Sequence, residues 1–397
     1  MRTGESALST RLIAATAAAL LVAAIGAADL ARAAYPVARN GKIAFERSVN
    51  GTTHVFVMSA DGSNPVDLSP ADTLGDSSPQ FSPDGRRIAF ARFLGGPDDS
   101  RHIFVMAANG TGATDLTPEL TAPVSGPTFS PDGKQIALMI DTFPGPGTLY
   151  SLAIMNVDGS VMTDLTHTNS DFERRPDFSP DGSRIVFERE EPGAAKLLTI
   201  NPDGSGLTPL SPAGDVLDRS GAFSPRGTQL AWSRDPDFDD PPLAMDIFVG
   251  DTALGGAANV TEAGPGQFKQ DPSFSPDGRS IAVTSYQGMS AGELFLVPNG
   301  GGAITPLTPG SSGEDPSWQY IYRCGKRRAT IVGDDGPEKI KGTKKRDVIV
   351  GNGGRDVIKG RGGNDVLCGG RGKDVLIGGP GKKDRLIGGP GRDKEKQ

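Results

Sequence analysis

Histidine is almost missing from this chain: there are three in 397 residues, beside two cysteines and two tryptophans. So few imidazoles leave little material for a His-centred acid–base site. One Gly-x-Ser-x-Gly stretch occurs, Gly288-Met289-Ser290-Ala291-Gly292, but it joins two strand-like runs, Ile281–Val283 and Glu293–Val297, where the nucleophile turn of the α/β-hydrolases needs a strand followed by a helix. Hydrophobic residues make up only 36%, and one long apolar run exists, Leu12 to Ala28. Nothing after it is apolar enough to cross a bilayer. What the chain has in quantity is glycine, 55, and proline, 32. That composition fits many short strands joined by turns better than a helical core.

The run Leu12–Ala28 follows Arg2 and Arg11 and precedes Ala31-Arg32-Ala33. A basic start, an apolar stretch and a small-x-small site read as a secretory signal over residues 1–34; the other reading is an uncleaved anchor. The expectation is an exported protein, secreted or held at the cell envelope, with no membrane span after cleavage.

A repeat organises the chain from about residue 40 onward. Phe81-Ser82-Pro83-Asp84-Gly85 leads into Ile88-Ala89-Phe90 and returns at Phe129–Gly133, Phe178–Gly182 and Phe274–Gly278, with a degenerate copy at Phe223-Ser224-Pro225-Arg226-Gly227. The serines at 82, 130, 179, 224 and 275 are 48, 49, 45 and 51 residues apart. Proline presets φ, aspartate suits the next place and glycine tolerates positive φ, so each copy is a tight turn between two strands. Each period holds a second hairpin, such as His54-Val55-Phe56-Val57-Met58 with Asp61-Gly62, marked by Asp-Gly or Asn-Gly in every copy but that at Asp246–Val249. Four strands per period of 40 to 50 residues is one propeller blade. Second strands at 43, 88, 136, 185, 230 and 281 count six blades. Blade one lacks an inner strand before Asn40, whereas Asp315–Tyr320 is an inner strand with nothing after it. Pairing Asp315–Tyr320 with Lys42–Ser48 closes the ring and removes its exposed edges.

The Pro-x-Phe-Ser-Pro-Asp-Gly-x-x-Ile-Ala-Phe pattern resembles the WD40-like repeat of TolB-type β-propellers, over roughly residues 40 to 320. TolB proteins carry an α/β domain before the propeller; here a signal-like segment stands there, so a role in the Tol–Pal system is not implied. His54 and His102 hold equivalent places in two blades, which points to scaffold roles. His167 has no evident partner. Before the inner strands stand Asp76, Asp171 with Glu173, Asp218, Asp271, and Glu314 with Asp315. They form either a carboxylate ring attracting a cation or a basic segment, or caps that keep the loops soluble, with Arg174, Arg175, Arg219 and Lys269 among them.

After Tyr322 the character changes. Residues 324–397 hold 19 basic and 10 acidic side chains, against 22 and 38 in 1–323. From Cys324 to Ile377 the chain divides into six blocks of nine. The clearest are Gly351–Lys359, Gly360–Cys368 and Gly369–Ile377, each reading Gly-x-Gly-Gly-x-Asp or Gly-Gly-x-Gly-x-Asp followed by x-apolar-x. They resemble the hemolysin-type (RTX) calcium-binding nonapeptides. The apolar eighth places, Ile331, Ile340, Ile349, Ile358, Leu367 and Leu376, should stack into a thin core. The resemblance implies a parallel β-roll with two nonads per coil and Ca2+ held between loops eighteen residues apart. That relation links Asp347 with Asp365 and Asp356 with Asp374, with Glu338 opposite Asp356. Gly351, Gly353, Gly360, Gly362 and Gly369 would turn the backbone and aim carbonyls at the ion. Block 378–387 has an extra residue, which puts Lys383 in the acidic place and displaces Asp384. Lys344, Lys345, Arg346, Arg355, Arg371 and Lys373 crowd the loops and would weaken a calcium site.

The expected architecture is all-β: a six-bladed β-propeller over 35–323 and a small C-terminal parallel β-roll over 324–397. The expected function is a calcium-binding interaction protein, with a protein or cell-wall glycan on the propeller, an anionic polymer on the basic roll and no specific nucleic-acid partner. The rival is a glycan lyase or hydrolase in the propeller channel, which an acid pair deep in the channel beside an aromatic platform would favour. Export and a single pair of cysteines predict a Cys324–Cys368 disulfide. Within one roll, 44 residues at eighteen per coil would separate the two by about 12 Å, beyond the ~7 Å reach of a disulfide. The bridge therefore requires residues before about Ala329 to leave the roll and fold back along it.

Overall fold

The computed structural model describes residues 38–96, 100–141, 150–167, 172–191, 193–212, 217–235, 244–262, 266–288, 290–381 and 383–397. The signal-like segment 1–34 and Asp171 lie outside these residues. Among the described residues all regular structure is β, and no helix is long and apolar enough to cross a membrane.

Six four-stranded antiparallel sheets form the blades. Blade two shows the plan: Asp76–Phe81, Arg87–Phe93, Arg101–Ala107 and the two-residue strand Thr114–Asp115, from channel to rim. The buried hydroxyl of Ser82 builds its turn, donating to Asp84 Oδ1 (2.7 Å) and accepting from the Arg87 amide (2.9 Å). Gly85, at φ +65°, closes the turn onto the Ser82 carbonyl at 2.7 Å. Where Arg226 replaces the aspartate, Ser224 still accepts from Gln229 N and Gly227 still bonds its carbonyl. The motif is scaffold.

The inner strand Glu314–Ile321 pairs antiparallel with Arg39–Val49, from Arg39↔Ile321 to Glu46↔Glu314. Both ends of the propeller thus share blade one, and the strand is longer at each end than the sequence suggested. Apolar clusters join each blade to the next all the way round; Ala44, Val55 and Val57 meet Phe81, Ile88 and Phe90 at the first junction.

Every inner strand carries a bulge at one place: Ser78, Gly126, Arg175, Ser220, Asp271 and Asp315 all have φ between +48° and +58°. Proline follows five of them, Ser220 excepted. An inner strand is the sheet edge facing the channel, so a residue without an N–H is tolerated there and leaves no free donor.

The chain then coils. Ile331–Val332, Val348–Val350, Val366–Cys368 and Arg385–Ile387 stack as one parallel sheet. Lys339–Lys341, Val357–Lys359, Val375–Ile377 and Lys394–Lys396 stack as the other. The predicted eighth-place residues pack between them, with Leu386 added. Cys324 and Cys368 are bonded, with Cα atoms 5.7 Å apart. The required detour is present: Arg323–Cys324 and Arg327–Arg328 form a hairpin outside the coils. It covers Val348, Val350 and Val366 on the outer face of the first sheet. That cover explains valines there, where the second sheet presents Lys339, Lys341 and Lys359 to solvent.

Candidate calcium ladder and propeller channel

The sixth-place acids of the roll form two ladders, one on each loop edge. On one edge the Glu338 amide donates to Asp356 Oδ1, Asp356 N to Asp374 Oδ1, and Asp374 N to Asp393 Oδ1, each at 2.9 Å. On the other, Asp347 N donates to Asp365 Oδ1 and Asp365 N to Asp384 Oδ1, each at 2.8 Å. The pairs Asp347–Asp365 and Asp356–Asp374 are therefore neighbours in adjacent coils, with Glu338 opposite Asp356.

One expectation is corrected here. Lys383 does not hold the acidic place of its block; Asp384 does. Sheet register decides this, because Leu386 must stack on Leu367, and the extra residue is absorbed in the glycine-rich loop. Asp384 and Asp393 were missed by counting nine forward. Counting back from Gly388-Gly389 and from the last strand would have found them.

The second carboxylate oxygens separate the acids into two kinds. Glu338 Oε2 accepts from Asp334 N, and Asp347 Oδ2 from Thr343 N and Oγ1. Oδ2 of Asp356, Asp365, Asp374 and Asp384 is buried without a hydrogen-bond partner. Burial, then neighbouring carboxylates, pushes the Asp356 carboxyl up to about 7. Burial, followed by Asp384 for Asp365 and by Asp393 for Asp374, raises those two as well.

Glycine makes room beside each orphaned oxygen. A methyl on Gly351 would stand 2.6 Å from Asp356 Oδ2 and 2.5 Å from the Gly369 carbonyl; one on Gly369, 2.5 Å from Asp374 Oδ2 and 2.6 Å from the Gly388 carbonyl. Gly360 stands the same way to Asp365 Oδ2 and the Gly378 carbonyl. The third-place glycines differ: Gly353 abuts Asp335 Oδ1, and Gly362 lies against the Lys344 backbone. Among the described residues no three His, Cys, Asp or Glu side chains converge on one point, so backbone carbonyls must complete any cation site here. Unpaired carboxylate oxygens beside carbonyls form the hard, all-oxygen donor set that suits Ca2+.

The propeller acids are engaged. Asp76 is clamped by Arg92 at 2.7 and 2.8 Å, Asp218 by Arg234 at 2.6 and 2.8 Å, and Glu173 by Arg189. Arg92 and Arg234 also lie over ring pairs, Phe90 with Phe104 and Trp232 with Phe248. Asp271 pairs with Arg175, and Glu314 accepts from Tyr286 Oη at 3.0 Å. Of the two readings of these acids, the pairing favours structural caps. His54 bonds Asp67 and His102 bonds Asp115, each at 2.8 Å. His167 does have a partner, Asp164 at 3.5 Å.

The channel encloses about 1140 Å³. One end is walled by the roll: Gly333, Asp334, Asp335, Asn352 and Arg371 line it together with the inner strands. There the half-buried Asp177, pushed up to about 7 by desolvation, and Asp335 lie within electrostatic reach of the Tyr320 phenol, which stacks on Tyr322. Both acids have partners, Asp177 accepting from Phe223 N at 2.8 Å and Asp335 pairing with Arg371 at 2.9 Å.

The profile of the TolB beta propeller domain matches residues 34–322. The chain belongs to the TolB β-propeller family. The RTX calcium-binding nonapeptide repeat matches at 332–367, 341–376 and 360–394. No curated protein matches the chain. Among solved structures, TolB from Acinetobacter baumannii is similar at 19% identity and TM-score 0.58, over 70% of this chain and 66% of that one, just under two thirds. A chain of a nidogen/laminin complex aligns at 11% identity and TM-score 0.56, over 70% and 98%. Hydrazine synthase from Kuenenia stuttgartiensis aligns at 12% and 0.57, over 73% and 48%. At these identities the likeness concerns the fold alone. The TolB-type propeller is thus joined to a calcium-binding repeat array.

Proposed function

We propose that this chain is an exported calcium-dependent binding protein of the cell envelope, in which residues 1–34 are the signal, 35–323 the interaction module and 324–397 the calcium-binding roll. The orphaned Oδ2 atoms of Asp356, Asp365, Asp374 and Asp384 carry the reading. Each is buried beside a glycine, Gly351, Gly360, Gly369 or Gly378, and at the first three the missing side chain leaves space against a carbonyl of the next coil. Bound calcium would supply the positive charge that these oxygens lack. Asp347 is the weaker donor, because Thr343 already takes its second oxygen. The propeller offers a protein or glycan partner the channel mouth away from the roll. The roll's exposed lysines and arginines suit an anionic cell-wall polymer. Capture from native envelopes, with calcium and with chelator, tests the partner assignment; equal capture in both conditions, or none in either, contradicts it.

A second reading rests on the channel end where Asp177 and Asp335 flank the stacked Tyr320 and Tyr322. An acid pair beside an aromatic platform is what a glycan lyase or hydrolase would use. The partners held by both acids weigh against it. Cleavage of acidic or neutral polysaccharides that disappears in both Asp177→Asn and Asp335→Asn would establish the enzyme reading; no turnover on any of them leaves binding as the function.

A further inference from the structure

The two acid ladders are not equivalent in place. Loops 333–338, 351–356 and 369–374, which carry Glu338, Asp356 and Asp374, form the roll edge that faces the Ser-Pro-Asp-Gly turns of the propeller. Asp335 N donates to the Pro180 carbonyl at 3.2 Å. Asp335 is held in turn by Arg371, two coils further on, at 2.9 Å, and Arg371 N donates to the Asn352 carbonyl at 2.7 Å. Asp335 and Arg371 also wall the second cavity, against Pro180 and Arg226. Lys134, on the blade-three turn, sits within electrostatic reach of Asp334 and Glu338. Lys344, Lys345, Arg346 and Arg361, on the opposite edge, line neither cavity.

The channel floor is therefore made of side chains from three successive coils. Their mutual spacing depends on the loops that hold the near ladder together. We propose that calcium in the Glu338–Asp356–Asp374 ladder seats the roll on the propeller, so that this edge is a calcium-controlled floor of the channel. The proposal rests on the calcium reading above and adds a consequence to it. With the ions bound, the loops hold Asp335 and Arg371 in the register that meets Pro180, and the channel is open at one mouth only. When the ions leave, like charges in adjacent coils separate the loops, the contact at Pro180 is lost, and the second mouth opens. A ligand-linked change of this kind needs only a difference in calcium affinity between the docked and undocked states. The same linkage makes docking strengthen calcium binding.

Hydroxyl-radical footprinting of the full-length protein tests this, reading Tyr320 and Pro180 for the channel floor and Leu367 and Leu376 for the roll core. In calcium all four should be protected. In chelator, modification of Tyr320 and Pro180 should rise several-fold together with that of the leucines. The double variant Asp335→Ala/Arg371→Ala, which leaves the ladder acids in place, should expose Tyr320 and Pro180 in calcium while the leucines stay protected. If chelator exposes the leucines but not Tyr320 and Pro180, the roll responds to calcium without controlling the floor, and the inference alone fails. If the leucines stay protected in chelator, the calcium reading fails with it. A double variant in calcium with the wild-type footprint also overturns the inference.

Discussion

At Gly360 a single added methyl tests the ladder more sharply than a charge change does. Its Cβ would enter the space between Asp365 Oδ2 and the Gly378 carbonyl. No positive φ is involved at Gly360, so backbone strain does not confuse the result. Gly360→Ala should weaken calcium binding by about tenfold, a loss of about 1.4 kcal/mol, while the propeller melts as before. Calcium titration of the variant beside the wild type checks it, and an unchanged affinity would remove Gly360 from the site. In the propeller, Glu46 is the residue to watch. Burial, then the Asp315 carboxylate, pushes it up to about 8 from an ordinary 4.5, although its carboxylate accepts from Ser78 N at 2.9 Å. A folded-state pKa raised in this way contributes stability that is fully present below the unfolded value of 4.5. That stability is lost as pH rises through about 8. The propeller's melting temperature should therefore fall between about pH 5 and about pH 9. Glu46→Gln, which keeps an acceptor for Ser78, should flatten that fall. Parallel slopes for the two proteins would contradict the assignment.

At the scale of the element, the hairpin Arg323–Arg328 is the part that geometry alone forced into view. Eighteen residues per coil placed Cys324 and Cys368 too far apart for a bridge inside the roll, and the chain answers with a fold-back that also covers three valines. A cross-link spanning 44 residues should stabilise the roll by ~3–5 kcal/mol in the chain-entropy view. Reduction should lower the roll's melting temperature and leave the propeller's in place; free thiols in the non-reduced protein would refute the bridge. Blades and coils were legible in sequence because each is written several times over, with turn chemistry fixed by Ser-Pro-Asp-Gly or by paired glycines. The bulge ring was not, since Ser78, Gly126, Arg175, Ser220, Asp271 and Asp315 share a backbone conformation and no side-chain type. Only the proline after five of them marked the place. Asp384 escaped because slack accumulates in loops, whereas stacked strands hold register.

For the whole molecule, Glu314–Ile321 pairs the last strand of the propeller with its first, and blade one packs on blade six through a shared apolar cluster, which should make the ring one cooperative unit. Deleting 315–320 should unfold the propeller in a single transition well below that of the intact chain; an unchanged melting temperature would show that the ring closes elsewhere. The roll stands differently. Its core is a thin stack of seven aliphatic side chains, too small to offset the chain entropy of the segment unaided. Its ladders bring like charges together unless a cation intervenes. Binding free energy is then folding free energy. The surrounding lysines and arginines should hold affinity to the weak extracellular range, a Kd on the order of 0.1–1 mM. The most direct test is a calorimetric calcium titration of the full-length protein beside Asp356→Asn/Asp374→Asn. Saturable binding in that range, weakened at least about tenfold in the double variant, is the expected result. No saturation at about ten times the upper figure, or equal binding by both proteins, would contradict the calcium ladder.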